Sequence, residues 1–285
     1  MYEGIYNMDL TSPRTIRNIQ EQFGFTFKKG LGQNFLTARN ILEEIVDAAE
    51  IESGVIEVGP GFGVLTSELA QNSDKVVTIE IDERLIDVLD YTLAEYDNVK
   101  IINEDILKLD LKKVIDDEFN GEKVSIAANL PYYITTPIIT KLLEEKLPIK
   151  NIVVMVQKEV AERMSAKPST KDYGAITVLC QYYTEPSIVA NVPASLFVPP
   201  PKVDSAVLKL KVLDKPSVEV KDEGVFFRVV KAAFSQRRKT LLNCLSANFA
   251  IPKDEISTLL ESIGIAPSRR GETCLLYTSP SPRDS

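Results

Sequence analysis

The chain has 285 residues, of which 44% are hydrophobic and 26% charged, a composition that fits one large domain plus a small one. It contains no histidine, which excludes Ser-His and Cys-His nucleophilic catalysis as well as histidine-ligated metals. Cys180, Cys244 and Cys274 are scattered without metal-ligand spacing, so we expect neither a disulfide framework nor a metal site. No apolar run approaches the roughly 18 residues of a membrane span, and a cytoplasmic protein is expected.

Charged residues are distributed unevenly along the chain. A formal charge of −8 argues mildly against a polyanionic partner. Residues 221–240, however, hold six basic against two acidic side chains, and residues 1–40 hold five against three. Two basic segments therefore remain available for phosphates.

Strands and helices are predicted to alternate along the first two thirds of the chain. Residues 1–30 are polar and favour an arm with a short helix over 13–23. Apolar residues recur at helical spacing from Asn40, and further helices are indicated from Leu65, over 83–96 and through Met164. Short buried-type strands are predicted at 54–58, 75–81, 99–103, 124–128 and 151–156. This alternation predicts an α/β fold, with a largely parallel sheet covered by helices on both faces.

The remainder of the chain changes character. Residues 187–212 are proline-rich, and 207–211 alternate as an edge strand would. A linker is expected at 213–223, followed by apolar residues at helical spacing over 224–265. The predicted organisation is an arm at 1–30, an α/β domain at 31–212, a small all-α domain at 213–273 and a tail at 274–285.

A glycine-rich turn is predicted between the first strand and the next helix. Gly59 and Gly61 lie in the segment 57–63, where they can turn tightly and let a ligand approach the backbone. Such turns serve dinucleotides, adenosyl ligands or no ligand, and the G-x-G-x-G spacing disfavours a pyrophosphate. Glu80 ends the next strand, where a carboxylate would accept from ribose hydroxyls. Asp105 follows the third strand, within reach of an adenine amino group. Together they favour an adenosine-bearing cofactor.

The segment 129–134 follows the fourth predicted strand and indicates which reaction the chain catalyses. An adenine N6 amine is weakly nucleophilic, because its lone pair is delocalised into the ring. Attack on a sulfonium methyl therefore benefits from acceptors that localise the lone pair and from a flat surface that holds the base. The Asn129 amide and the Leu130 carbonyl are candidate acceptors, Pro131 stiffens the turn, and Tyr132 can stack on the base. A strong general base is not required, which suits a chain without histidine.

These segments resemble the ribosomal RNA small-subunit adenine dimethyltransferases over about residues 8–272. The resemblance is carried by residues 29–36, 57–66, 80–82, 104–105, 129–132, 197–205 and 234–241. It implies a Rossmann-like class I methyltransferase sheet with a small all-α C-terminal domain. It also implies S-adenosylmethionine-dependent N6,N6-dimethylation of two adjacent adenosines in a hairpin near the 3′ end of 16S rRNA.

The resemblance also implies roles for individual residues. Cofactor contacts are implied for Asn34, Leu36, Gly59, Glu80, Asp105 and Asn129, with Gly61 added by the glycine turn. Phe197 would close the target-base pocket opposite Tyr132. Arg237, Arg238 and Lys239 lie on a predicted helix over 234–241 and would bind rRNA phosphates. The implied partner is 16S rRNA in the small ribosomal subunit or its precursor. A monomer is expected, with no metal and no membrane partner.

Three alternatives stay open at this point. A large-subunit, 23S rRNA adenine methyltransferase of the antibiotic-resistance type shares the core, although the leading arm and the 129–132 segment favour the small-subunit family. A DNA adenine methyltransferase would more often carry two prolines before the tyrosine. An assembly factor with secondary methylation is a third reading. The family continues into a leucine-rich helix where residues 274–285 read as a Ser/Pro-rich string resembling a translated sequencing adapter, so a non-native or disordered tail is expected.

Overall fold

The computed structural model describes residues 8–26 and 34–273. The predictions for the outermost arm, for residues 29–33 and for the tail at 274–285 lie outside the described residues. The chain divides into two compact units, one holding residues up to Ala161 with Ser187–Val212, the other holding Glu162–Pro186 and the chain from Leu213. Residues 162–186 thus group with the helical unit rather than with the sheet. None of the described helices is long and apolar enough to cross a membrane.

The first unit is built around a seven-stranded sheet. Its elements are α1 (Pro13–Gln22), β1 (Phe35–Leu36), α2 (Arg39–Ala49), β2 (Val55–Val58), α3 (Val64–Gln71), β3 (Val76–Glu80), α4 (Ile86–Thr92), β4 (Val99–Asn103), α5 (Leu111–Phe119), β5 (Val124–Asn129), α6 (Thr135–Glu144), β6 (Ile149–Gln157), β8 (Phe197–Val198) and β9 (Ser205–Val212). Two further elements, α7 (Lys158–Met164) and β7 (Thr184–Val192), cross the boundaries between the units.

The strand order of the sheet is β4-β3-β2-β5-β6-β9-β7. The first five strands pair in parallel, and β9 pairs antiparallel to β6. All residues of β2 and β3 are buried, as a strand covered by helices on both faces requires. The predicted Rossmann-like α/β sheet is confirmed. The edge position expected for residues 207–211 is wrong, because β7 lies beyond β9 in the sheet.

Helix α2 shows how the apolar pattern becomes packing. Ile41, Leu42, Ile45, Val46 and Ala49 recur at helical spacing and are all buried. They belong to one large core with α1 and with residues of β2, β3 and β5. The helix predicted over 83–96 is shorter than expected, because it ends at Thr92 and a turn follows, in which the Tyr96 N–H donates to the Leu93 carbonyl at 2.9 Å.

The second unit contains α8 (Ala175–Tyr183), α9 (Glu223–Ala233), α10 (Leu241–Asn248) and α11 (Lys253–Ser262). Leu241, Leu245, Ile256 and Leu260 form a small buried core between α10 and α11. The helix predicted over 234–241 is wrong. Helix α9 ends before Phe234, and Thr240 caps a new helix by accepting from the Asn243 N–H at 3.4 Å, so the intervening residues form a connecting loop.

Candidate active site

A cleft opens at the carboxyl ends of the parallel strands. The strand order reverses between β2 and β5, because β3 and β4 lie on one side of β2 while β6 lies on the far side of β5. Loops leaving the two neighbouring strands in opposite directions leave a crevice, which is where ligands bind in such sheets. The cleft encloses about 1030 Å³ of space, including the part open to solvent.

The glycine turn forms the floor of this cleft. Gly59 and Gly61 line it, with backbone φ angles of 72° and 60° that favour glycine. A Cβ on Gly61 would lie 2.6 Å from the Phe35 ring, which itself stacks on Phe62 with ring centroids 4.3 Å apart. A Cβ on Gly59 would meet no atom within 4 Å. The turn is therefore packed tightly beneath Gly61 and open above Gly59, where a ligand can approach the backbone.

Glu80 ends β3 beside this turn and is almost fully buried. Its carboxylate accepts from the Asp82 N–H at 2.9 Å and from the Gly61 N–H at 3.4 Å. Burial raises the pKa of Glu80, and these backbone hydrogen bonds oppose the rise. An ionised carboxylate has about four acceptor sites, so Glu80 can also accept from a ligand.

The end of β4 adds a second acidic group and an apolar wall. Asp105 lines the cleft and holds its own loop by accepting from the Leu107 N–H at 3.0 Å. Ile81 and Ile106 line the cleft nearby, and Ile81 leaves 54% of its surface exposed. Carboxylates at two strand ends with apolar side chains between them suit a flat ring that carries hydroxyl and amino donors, such as a nucleoside.

Asn129 ends β5 on the opposite side of the crevice. Its Nδ2 donates to the backbone carbonyl of Asn34 at 2.9 Å, and both residues line the cleft. That bond fixes the amide and leaves Oδ1 available as an acceptor. Leu130 is buried, and its N–H donates to the Met155 carbonyl at 3.1 Å, which ties the turn to β6.

The two tyrosines after Pro131 are placed differently. Tyr132 is half-buried, and its hydroxyl forms a hydrogen bond with Ser205 Oγ at 2.7 Å. Tyr133 lines the cleft and leaves 59% of its surface exposed. The Pro131 carbonyl accepts from the Thr135 hydroxyl at 3.2 Å, which anchors the turn to α6.

Leu36 and Phe197 pair across the two-stranded sheet of β1 and β8. Leu36 lines the cleft, while Phe197 is 3% exposed and belongs to the core. Among the described residues, the cleft lining thus includes the predicted Asn34, Leu36, Gly59, Gly61, Glu80, Asp105 and Asn129, but not Leu130, Tyr132 or Phe197. Leu130 and Tyr132 are each flanked in the chain by lining residues, and Phe197 pairs with the lining residue Leu36.

A buried carboxyl group, Glu57, lies at the base of the cleft. It is 1% exposed and accepts from the Thr66 hydroxyl at 2.6 Å. Burial raises the pKa of Glu57 to about 8, against the opposing effect of that hydrogen bond. The side chain is therefore mostly protonated at neutral pH and carries little charge into the core.

The three predicted phosphate-binding residues lie in the second unit, on the loop between α9 and α10. Arg237, Arg238 and Lys239 are all exposed. Arg237 also donates a hydrogen bond to the Lys171 carbonyl, which ties the loop to the segment before α8. The loop therefore presents a compact group of three positive charges to solvent.

Comparison with known proteins identifies the family. The model of the family described as "Ribosomal RNA adenine dimethylase" matches residues 24–276. The chain belongs to the ribosomal RNA adenine dimethylase family. As a member of it, the protein is an rRNA adenine dimethyltransferase.

Relatives and solved structures agree with this assignment. The chain is 55% identical over 271 residues to the ribosomal RNA small subunit methyltransferase A of Bacillus mycoides, covering 93% of both chains, and equally to that of Bacillus anthracis. A crystal structure of a dimethyladenosine transferase from Plasmodium falciparum is 30% identical with a TM-score of 0.66, covering 84% of this chain and 92% of that one. The 23S rRNA methyltransferase ErmE is 28% identical with a TM-score of 0.64, covering 85% and 95%. The fold is thus that of a class I methyltransferase.

Sequence reasoning left several cleft residues of this dimethylase without a role, among them Glu57, Ile81, Ile106 and Tyr133. Ile81 and Ile106 each follow an acidic residue at a strand end, so an apolar residue at that position was a usable signal. Glu57 was part of the glycine-turn motif, but only its burial reveals a perturbed carboxyl group. Tyr133 stands beside Tyr132, and local sequence does not decide which of the two faces the cleft.

Proposed function

We propose that this dimethylase transfers methyl groups from S-adenosylmethionine to the N6 atoms of two adjacent adenosines in a hairpin near the 3′ end of 16S rRNA. The observation that carries the proposal is one cleft that joins the glycine turn, Glu80 and Asp105 on one side to Asn129 on the other. The 55% identity to named small-subunit enzymes supports the choice of substrate. A reaction on ribosomal subunits would take place in the cytoplasm.

The cleft suits an adenosine-bearing cofactor. Glu80 would accept from the ribose hydroxyls, and Asp105 would accept from the adenine amino group. Ile81 and Ile106 would cover the adenine faces, while the open side of Gly59 would take the methionine portion. S-adenosylmethionine supplies an electrophilic methyl group on a sulfonium, which is the reactivity that methylation of a weak amine needs.

Asn129 and Leu130 would activate the amine. The Asn129 Oδ1 and the Leu130 carbonyl would accept from the N6 protons and draw the lone pair out of the ring. The amine's lone pair then forms the new C–N bond as the C–S bond breaks, and the surplus proton leaves to solvent. Tyr132 would stack on the target base, with Phe197 as the proposed partner on the other face. None of these roles needs a general base of high pKa.

The loop bearing Arg237, Arg238 and Lys239 would hold rRNA phosphates. The three side chains are exposed, and a cluster of positive charges gains affinity through the release of counterions from RNA. The net charge of −8 does not oppose RNA binding at this loop, because residues 234–240 contain no acidic side chain.

One assay tests the proposal. Small and large ribosomal subunits lacking the modification would be incubated separately with the protein and methyl-labelled S-adenosylmethionine. Nuclease digestion and mass spectrometry should find N6,N6-dimethyladenosine in 16S rRNA alone. Label confined to 23S rRNA would establish the large-subunit activity instead. Subunit binding without any methylation would support an assembly factor.

A further inference from the structure

We infer that Ser205 is a positioning residue for methyl transfer, holding the Tyr132 ring in the orientation in which it receives the target adenine. The inference rests on the proposed stacking role of Tyr132. Ser205 belongs to a segment remote from the reaction motif, and it touches Tyr132 rather than substrate.

The contact joins two rigid parts of the first unit. The Tyr132 hydroxyl and Ser205 Oγ lie 2.7 Å apart, although the residues are 73 positions apart in the chain. Ser205 is fully buried and opens β9, where it pairs with Gln157 of β6. The preceding residue is held as well, because the Lys158 N–H donates to the Asp204 carbonyl at 3.0 Å. The oxygen that meets Tyr132 is therefore fixed by the sheet.

The other end of Tyr132 is fixed by the turn. The Ile134 N–H donates to the Pro131 carbonyl at 3.1 Å, and the Thr135 hydroxyl donates to the same oxygen at 3.2 Å. A phenol ring held at its Cα and at its hydroxyl cannot change its χ1 rotamer without breaking the tether. Tyr133, one position on, remains 59% exposed. The tether thus fixes Tyr132, whereas Tyr133 lines the cleft.

Fixing the ring before the base arrives has a kinetic consequence. A free ring loses rotamer entropy when it stacks on a ligand, whereas a tethered ring has lost it on folding. Burial raises the pKa of Tyr132, so the hydroxyl stays protonated and keeps the hydrogen bond across the neutral range. We therefore expect loss of the tether to slow the chemical step more than it weakens cofactor binding.

A double-mutant cycle with Ser205→Ala and Tyr132→Phe tests the inference. Each single change should lower the single-turnover methylation rate by about 3- to 10-fold, the equivalent of one hydrogen bond. The double variant should be no slower than the slower single variant, because both remove the same bond. RNA carrying 2-aminopurine at the target position should show less fluorescence quenching with either variant, while cofactor affinity should stay unchanged.

Ser125→Ala provides the matched control. Ser125 is also buried, and its hydroxyl donates to the Ala49 carbonyl at 2.6 Å, within the core. It should lower stability without changing the 2-aminopurine signal. If the effects of Ser205→Ala and Tyr132→Phe add, or if Ser205→Ala behaves like the control, the inference is overturned. A Tyr132→Ala variant with the parent rate would instead reject the proposed stacking role. Should Ser205→Ala fail to fold, the signal of Tyr132→Phe alone decides, since that variant keeps the ring.

Discussion

The side chain of Asn129 donates to the backbone carbonyl of Asn34 at 2.9 Å, joining residues 95 positions apart. The bond uses the amide nitrogen, so the side-chain oxygen is the atom left as an acceptor. Asn34, the residue directly before β1, also lines the cleft. This hydrogen bond therefore orients the Asn129 side chain so that its oxygen, not its nitrogen, is available where the adenine amine is proposed to react.

Asn129→Ala should slow chemistry while leaving RNA binding nearly unchanged. Loss of one preorganised polar group costs roughly 10²- to 10³-fold in rate when its effect is confined to the transition state. Single-turnover assays at saturating cofactor would measure the rate, and filter binding would measure RNA affinity. Asn98→Ala is the control, because that amide bonds the Ala70 and Ser73 carbonyls and lies outside the cleft lining. A variant with parent rate but weak RNA binding would contradict the assigned role.

Glu80→Ala should weaken cofactor binding by about 10- to 100-fold, since hydrogen bonds to a charged group contribute roughly 1.5–3 kcal/mol. Calorimetric titration with S-adenosylmethionine would measure the dissociation constant. Glu80→Gln keeps the shape of the side chain and should show a smaller loss, which separates charge from packing. An unchanged dissociation constant in both variants would remove Glu80 from the site.

Glu57→Gln should flatten the dependence of stability on pH. The folded pKa of Glu57, about 8, lies above the ordinary value of 4.5, so the folded state keeps a proton that the unfolded state has lost between these values. The stabilising contribution is complete below pH 4.5 and disappears as the pH rises to about 8, with a slope of about 1.4 kcal/mol per pH unit.

Urea unfolding of parent and variant at pH 5.5, 7 and 8.5 would measure this difference. The chain has no histidine, so few other side chains titrate in that window. Parallel pH profiles for the two proteins would show that the Glu57 carboxyl does not keep a proton in the folded state.

The double variant Arg237→Ala/Arg238→Ala should weaken binding to small subunits and leave cofactor affinity unchanged. Each lost phosphate contact should reduce the slope of log affinity against log salt by about one unit. The variant Lys100→Ala/Lys112→Ala removes the same charge from exposed positions of the first unit and is the control. Equal salt slopes in the two double variants would show that the basic loop does not contact RNA.

Local sequence patterns predicted much of the structure of the first unit. The apolar spacing of Ile41, Leu42 and Ile45 predicted α2, and strand patterns before Gly59 and Glu80 predicted β2 and β3. These signals are short-range, because a helix or a buried strand selects side chains within a few residues of one another. The basic loop shows the limit of that reasoning. Helical spacing suggested one helix over 234–241, but the Thr240 cap begins a new helix there.

The sequence by itself determined the order of strands and helices, the glycine turn and the acidic residues that follow β3 and β4. Tertiary structure alone decided which distant side chains meet. It pairs the Asn129 amide with Asn34, the Tyr132 hydroxyl with Ser205, and Glu57 with Thr66 in a buried pair. It also placed β9 inside the sheet and Phe197 in the core. The physical reason is that hydrogen-bond partners and desolvation depend on positions far apart in the chain, which periodicity and spacing do not encode.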